Sequence, residues 1–185
     1  MSEKDPAART VSAEAQSHGL LDITSLVLLA ILLAAGFILN ITVGNALAMT
    51  GIKPQFIIAA YALAILLTNA SFAQAALYGL ISAALIQLST SIPGLNFLTE
   101  VAGALTMAAL MRLDLTFAGK RFTPLVAAFV ATLVSGGLFA AVGTVAMGAE
   151  LATAVVKIPV VLGTAAFNAV VVQALFVPLA KVLRH

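Results

Sequence analysis

The stretch from Pro54 to Thr99, PQFIIAAYALAILLTNASFAQAALYGLISAALIQLSTSIPGLNFLT, runs for 46 residues without an Asp, Glu, Lys or Arg. A helix needs about 20 residues to cross a hydrocarbon core of about 30 Å, so this stretch is too long for one crossing and fits two. The natural break is Thr68-Asn69-Ala70-Ser71, where side chains able to make turns and helix caps cluster.

Working outward, four further charge-free stretches appear: Ile23 to Ile52, Val101 to Met111, Phe122 to Ala149 and Ile158 to Ala180. Only 9% of the residues are charged and 62% are hydrophobic, against about 25% charged in an ordinary soluble domain. The pattern excludes a water-soluble fold and predicts an all-α integral membrane protein. Its six-transmembrane-helix bundle occupies residues 21–185, with helices over 23–39, 53–68, 72–88, 96–112, 122–147 and 155–181. Residues 1–20 are polar, mixed in charge and poor in large apolar side chains, which predicts a disordered cytoplasmic tail. The apolar run of the first helix exceeds the 7 to 15 residues of a secretory signal core and more spans follow, so it reads as a retained span.

With both termini on one side, Lys4, Arg9, Arg112, Lys120, Arg121, Lys181 and Arg184 share that side, and Lys53 and Lys157 fall on the other. The positive-inside rule then makes both termini cytoplasmic, and the short basic loop from Arg112 to Arg121 is the decisive segment. The expected location is a prokaryotic plasma membrane, crossed several times. The net charge of +2 is explained by this asymmetry, and no nucleic-acid partner is expected.

The inventory of reactive groups is thin. There is no cysteine, hence no thiolate or cysteine metal site. His18 and His185 lie in opposite tails without ligands at metal spacing. Gly119-Lys120 lacks the surrounding pattern of a phosphate-cradling loop. No enzymatic activity, metal or cofactor is expected.

What remains is a set of charges on the side opposite the termini: Lys53, Glu100, Glu150 and Lys157. Glu100 lies one turn inside its helix, where a carboxylate facing lipid would cost several kcal/mol, so it is expected to face a watery cavity or to be favoured by the helix N-terminal dipole. Lys157, Thr164 and Asn168 are spaced seven and four apart, which aligns them on one stripe of the last helix. The stripe is expected to line a cavity, with interhelical hydrogen bonding as the other use of such residues. Gln74, Tyr78 and Ser82 form a second stripe assigned to packing. Asn40 to Gly51 is a possible lid over the cavity, or a continuation of the first helix. Pairs of small residues four apart, among them Ala30 with Ala34 and Ala104 with Ala108, mark places where helices approach closely.

Ala30 to Ala34, Gly51-Ile52-Lys53-Pro54-Gln55-Phe56 and Ser91-Ile92-Pro93-Gly94-Leu95-Asn96 together resemble the substrate-binding S components of energy-coupling factor (ECF) transporters, especially the TrpP family of proposed tryptophan transporters. The likeness spans most of the membrane region; Gln55 departs from it, standing where that family usually has an acidic residue. The resemblance implies that Ala30 and Ala34 pack against a transmembrane T component joined to two cytoplasmic ATPases. It also implies that substrate binds near the outer helix ends, with Lys53, Gln55, Asn96, Glu100, Lys157 and Asn168 as pocket residues beside Thr164. A zwitterion needs a cation and an anion to replace its lost hydration, which Lys53 or Lys157 with Glu100 or Glu150 would supply. The expected function is capture of a small molecule, tryptophan or another amino acid or a vitamin, for uptake by an ATP-driven partner. The alternative is a self-sufficient secondary transporter or channel.

Overall fold

The computed structural model describes residues 22–50, 53–117 and 119–183, so the polar tail of residues 1–20 lies outside it. The helices are α1 (Ile23–Leu39), α2 (Phe56–Thr68), α3 (Phe72–Ile86), α4 (Leu95–Leu110), α5 (Thr123–Ala146) and α6 (Ile158–Val182). The all-α expectation holds apart from a small antiparallel hairpin between α4 and α5, in which Thr116 pairs with Arg121 and Phe117 with Lys120.

The helix boundaries follow local chemistry. Asn69 adopts the left-handed conformation (φ 49°) that ends α2, a conformation asparagine tolerates better than most residues. Two residues later Ser71 starts α3 with a capping box: its Oγ accepts from Gln74 N at 3.2 Å, and Gln74 Oε1 accepts from Ser71 N at 2.9 Å. The break therefore falls where the polar cluster predicts it. At the far end of α3, Gln87 Oε1 accepts from Gly94 N at 2.9 Å, and Gly94 takes φ +83°, which closes the turn into α4.

The segment after α1 does not form a separate loop. It continues through a π-helical turn, Asn40–Gly44, into Asn45–Ala48. Thr42 Oγ1 donates back to Ile38 O at 2.6 Å and Asn45 Nδ2 to Ile41 O at 3.0 Å, so these two side chains bond to their own helix. Of the two expectations for this segment, helix continuation is the one observed, as far as Ala48, with a turn at Met49 and Thr50; Gly51 lies outside the described residues. Likewise the start of the last helix is a 3-10 segment, Leu151–Lys157, leading into α6.

Ile23–Ala48, Thr123–Ala146 and Leu151–Val182 are long and apolar enough to cross a membrane, while α2, α3 and α4 are shorter apolar helices. The chain is an all-α membrane protein. Its outer surface carries Ile23, Val27, Ile31, Val170 and Leu175, all between 44% and 76% exposed, more apolar surface than a soluble monomer leaves in water.

The shortness of α2 has a packing reason. All ten residues from Phe56 to Ile65 are buried, and α2 touches every other helix of the bundle. A helix apolar all round belongs in the middle of a protein, and one shielded by neighbours need not match the lipid thickness. Small residues make this possible: Ala59, Ala60, Ala62 and Ala64 of α2 share one buried core with Ala104, Ala108, Ala127, Ala128 and Ala131. Without a water-driven hydrophobic effect between helices, such close van der Waals contact is what holds them.

Asn168 belongs to this core. Its Nδ2 donates to Gln55 O at 3.1 Å and to Thr132 Oγ1 at 3.4 Å, tying α6 to the start of α2 and to α5. The expectation that it binds substrate is corrected: it is fully buried and does not line the cavity described below. One turn deeper than Thr164, its amide nitrogen is used between helices, while its Oδ1 has no partner. Asn168→Leu is expected to cost about 1 kcal/mol, a fall of about 2–4 °C in the thermal midpoint of the detergent-purified protein; an unchanged midpoint would remove the clamp assignment.

Candidate functional site

Helices α2, α4 and α6 begin at the same end of the bundle at which α1, α3 and α5 finish, and a cavity of about 470 Å³ opens there. That volume lies within the range of small-molecule sites. Of the seven residues expected at the binding site, the fold brings six to this cavity: Lys53, Gln55, Asn96, Glu100, Lys157 and Thr164. Glu150, at the head of the 3-10 segment, is exposed and does not line it.

The cavity is graded from mouth to floor. Lys53 and Lys157 are exposed at the entrance. Lys157 Nζ donates to Thr144 Oγ1 at 2.8 Å, which fastens the head of α6 to the end of α5. An ammonium has three N–H donors, so two remain. Deeper, Thr164 Oγ1 donates to Lys53 O at 3.0 Å, holding the chain before α2 against α6.

The floor is polar and tightly packed. Asn96 and Glu100 are each 3% exposed. Asn96 Oδ1 accepts from Thr90 Oγ1 at 2.6 Å, which joins the first turn of α4 to the loop after α3. Glu100 Oε1 accepts from Ser135 Oγ at 3.3 Å. The groups facing its carboxyl are Tyr61, Ser135 and Asn96, all uncharged. Oε2 makes no bond of hydrogen-bonding geometry, nor does the Tyr61 hydroxyl. Buried polar atoms without partners are uncommon; here Asn40 Oδ1, Ser82 Oγ, Thr99 Oγ1 and Asn168 Oδ1 share this state, and of all of them only Glu100 and Asn40 belong to residues that line the cavity. The sequence expectation of a cavity-facing Glu100 agrees with this geometry.

Apolar walls come from Ile58, Ile86, Phe139, Val160 and Val161. Of Phe56, Phe97 and Phe139, only Phe139 lines the cavity. Phe56 packs edge-on against Phe167 with ring centres 5.8 Å apart, and Phe97 points outward.

Asn40, the first residue of the segment expected over the cavity, lines it; sequence reading missed Ser89, Thr90, Ser91, Thr132 and Ser135, which also do. Thr132, Ser135 and Phe139 follow each other at three and four residues along α5, a helical stripe of the kind that drew attention to α6. The serine and threonine of the loop after α3 carry no such periodic signal.

Ala30 and Ala34 lie away from the cavity, both exposed on the outer face of α1. At the opposite end of the bundle Arg112 donates to Ala108 O at 3.0 Å and stacks over Phe72 at 4.0 Å, and Arg121 reaches Met111 O at 3.4 Å. Gln173 Nε2 donates to Arg121 O at 3.1 Å, and its Oε1 accepts from Leu125 N at 3.1 Å, so α6 also holds the hairpin in place. The described cations thus divide between two ends, Lys53 and Lys157 at the cavity and Arg112, Lys120, Arg121 and Lys181 at the other. No protein-family model, curated protein or solved structure matches the chain.

Proposed function

We propose that the chain is the substrate-capture subunit of an ECF-type importer, spanning a prokaryotic plasma membrane six times with both termini in the cytoplasm. It takes a small molecule, an amino acid such as tryptophan or a vitamin, from the outer side and performs no reaction on it. The observation that carries this reading is the cavity: it opens at one end of the bundle, its mouth is cationic and its floor holds a buried carboxyl with a free oxygen. The arginine-rich opposite end supports a cytoplasmic placement of the hairpin. The sequence resemblance supplies the class of partner, a T component with two ATPases, and the exposed small-residue face of Ala30 and Ala34 is a surface on which a partner helix could close in.

The test separates capture from self-sufficient transport. Purified chain reconstituted alone in liposomes should bind substrate without accumulating it, whether or not an ion gradient is imposed, and should gain uptake only with an ATPase module and ATP. Accumulation by the chain alone, driven by a proton or sodium gradient, would replace this reading with that of a secondary transporter.

A further inference from the structure

Resting on the capture reading, we propose that the ligand enters ammonium first, and that Glu100 is the counter-ion that makes an amino group obligatory for binding. Glu100 is nearly inaccessible, its Oε2 is unpartnered, and every group facing it is uncharged. Its only bond of good geometry comes from a neutral hydroxyl, Ser135. A buried carboxylate needs a cation to balance its charge, and among the described residues the groups around it, Ser135, Tyr61 and Asn96, are neutral.

The remaining charges fix the direction. The two cations of the cavity, Lys53 and Lys157, stand at the exposed mouth. A ligand carboxylate placed at the floor would meet Glu100 as a like charge, whereas at the mouth it meets free ammonium donors. The field along the cavity is therefore that of a dipole, negative inside and positive outside, and it selects molecules of the opposite sense: a primary ammonium at the leading end, a carboxylate trailing. The substituent between them lies against Ile58, Phe139 and Val161.

The experiment measures binding to the purified full chain with matched triplets, each an amino acid, its decarboxylated amine and its deaminated acid. Suitable sets are tryptophan, tryptamine and indole-3-propionate, and phenylalanine, phenethylamine and 3-phenylpropionate, with biotin and riboflavin as vitamins lacking an ammonium group. The deaminated acids should bind at least about tenfold more weakly than the amino acids, the loss expected for a charge-assisted hydrogen bond. Glu100→Gln should weaken the amine-bearing compounds about 30-fold and the deaminated acids less than threefold, closing the gap between them. Glu100→Asp, which keeps the charge, should recover part of the preference. Retained helical circular dichroism and a monodisperse elution profile show that each variant is folded.

Equal affinity for amino acid and deaminated acid overturns the inference. So does a Glu100→Gln variant that weakens both alike, the mark of a purely structural carboxyl. A vitamin that binds where no amine does overturns the ammonium assignment and leaves capture standing, while a folded chain that binds none of these compounds overturns both.

Discussion

Gly79→Val is expected to be the most destabilising single substitution proposed for this protein. A Cβ at Gly79 would stand 2.9 Å from Val101 Cα, 3.0 Å from Glu100 O and 3.1 Å from Ala104 Cβ. The first two are backbone atoms of α4, so no side-chain rotation relieves the clash and the two helices must separate. Overpacking of this kind costs about 1–3 kcal/mol and more where backbone has to move. For a chain of this size about 3 kcal/mol corresponds to a fall of about 6–12 °C in the thermal midpoint. Displacing α4 also displaces Glu100, so ligand affinity should fall with stability. The matched control is Gly137→Ala on α5, where a Cβ meets nothing within 4 Å; alanine's better helix propensity should leave the midpoint unchanged or slightly higher. A Gly79→Val midpoint within a degree of the parent would contradict the close α3–α4 packing.

The second large effect has the opposite sign. Glu100→Met is expected to raise the stability of the ligand-free protein while abolishing binding of amine-bearing ligands. The carboxyl is buried with a single hydroxyl donor and an unpartnered oxygen, and an ionisable group inside a membrane bundle is expensive. Methionine keeps the length of the side chain and removes the unsatisfied oxygen; replacing buried ionisable groups by apolar volume is often neutral or stabilising by about 1–4 kcal/mol. Ser135 then loses its acceptor, which offsets a part of this gain. The expected outcome is a higher thermal midpoint without ligand and no ligand-induced rise, the behaviour of a residue kept for function at a cost in stability. A lower midpoint with binding intact would identify Glu100 as a structural element of the α4–α5 contact.

Much of the site could be read in the sequence because charge is scarce here. In a chain with few ionisable residues, Lys53, Glu100 and Lys157 stand out, and their places next to helix starts assign them to one end before any packing is known. Thr164 and Asn168 show where that reasoning stops. They lie on the same stripe of α6, and the stripe does face inward. Yet Thr164 reaches the cavity, while Asn168, one turn further, is enclosed between Gln55 and Thr132. The depth at which the cavity ends depends on side chains from α2 and α5, remote in sequence. Tyr61 and Ser135 were missed for the same reason: neither carries a charge, and only the crossing of α2, α4 and α5 brings both to Glu100.

Sequence alone determined that this is an apolar helical membrane protein, that the chain turns between Thr68 and Ser71, and at which end the polar site gathers. These properties follow from run length, cap chemistry and the position of charges, each the sum of local transfer and hydrogen-bond energies along the chain. The tertiary structure alone decided that α2 is the buried centre, that Asn168 is a clamp, and that Glu100 Oε2 is buried without a partner. Several of these helices are apolar enough to lie in lipid or in protein, and hydropathy does not distinguish the two. The choice rests on which faces carry residues small enough for close approach, Ala60 and Ala64 or Gly79 with Ala104. Such complementarity belongs to pairs of helices and cannot be read from either one.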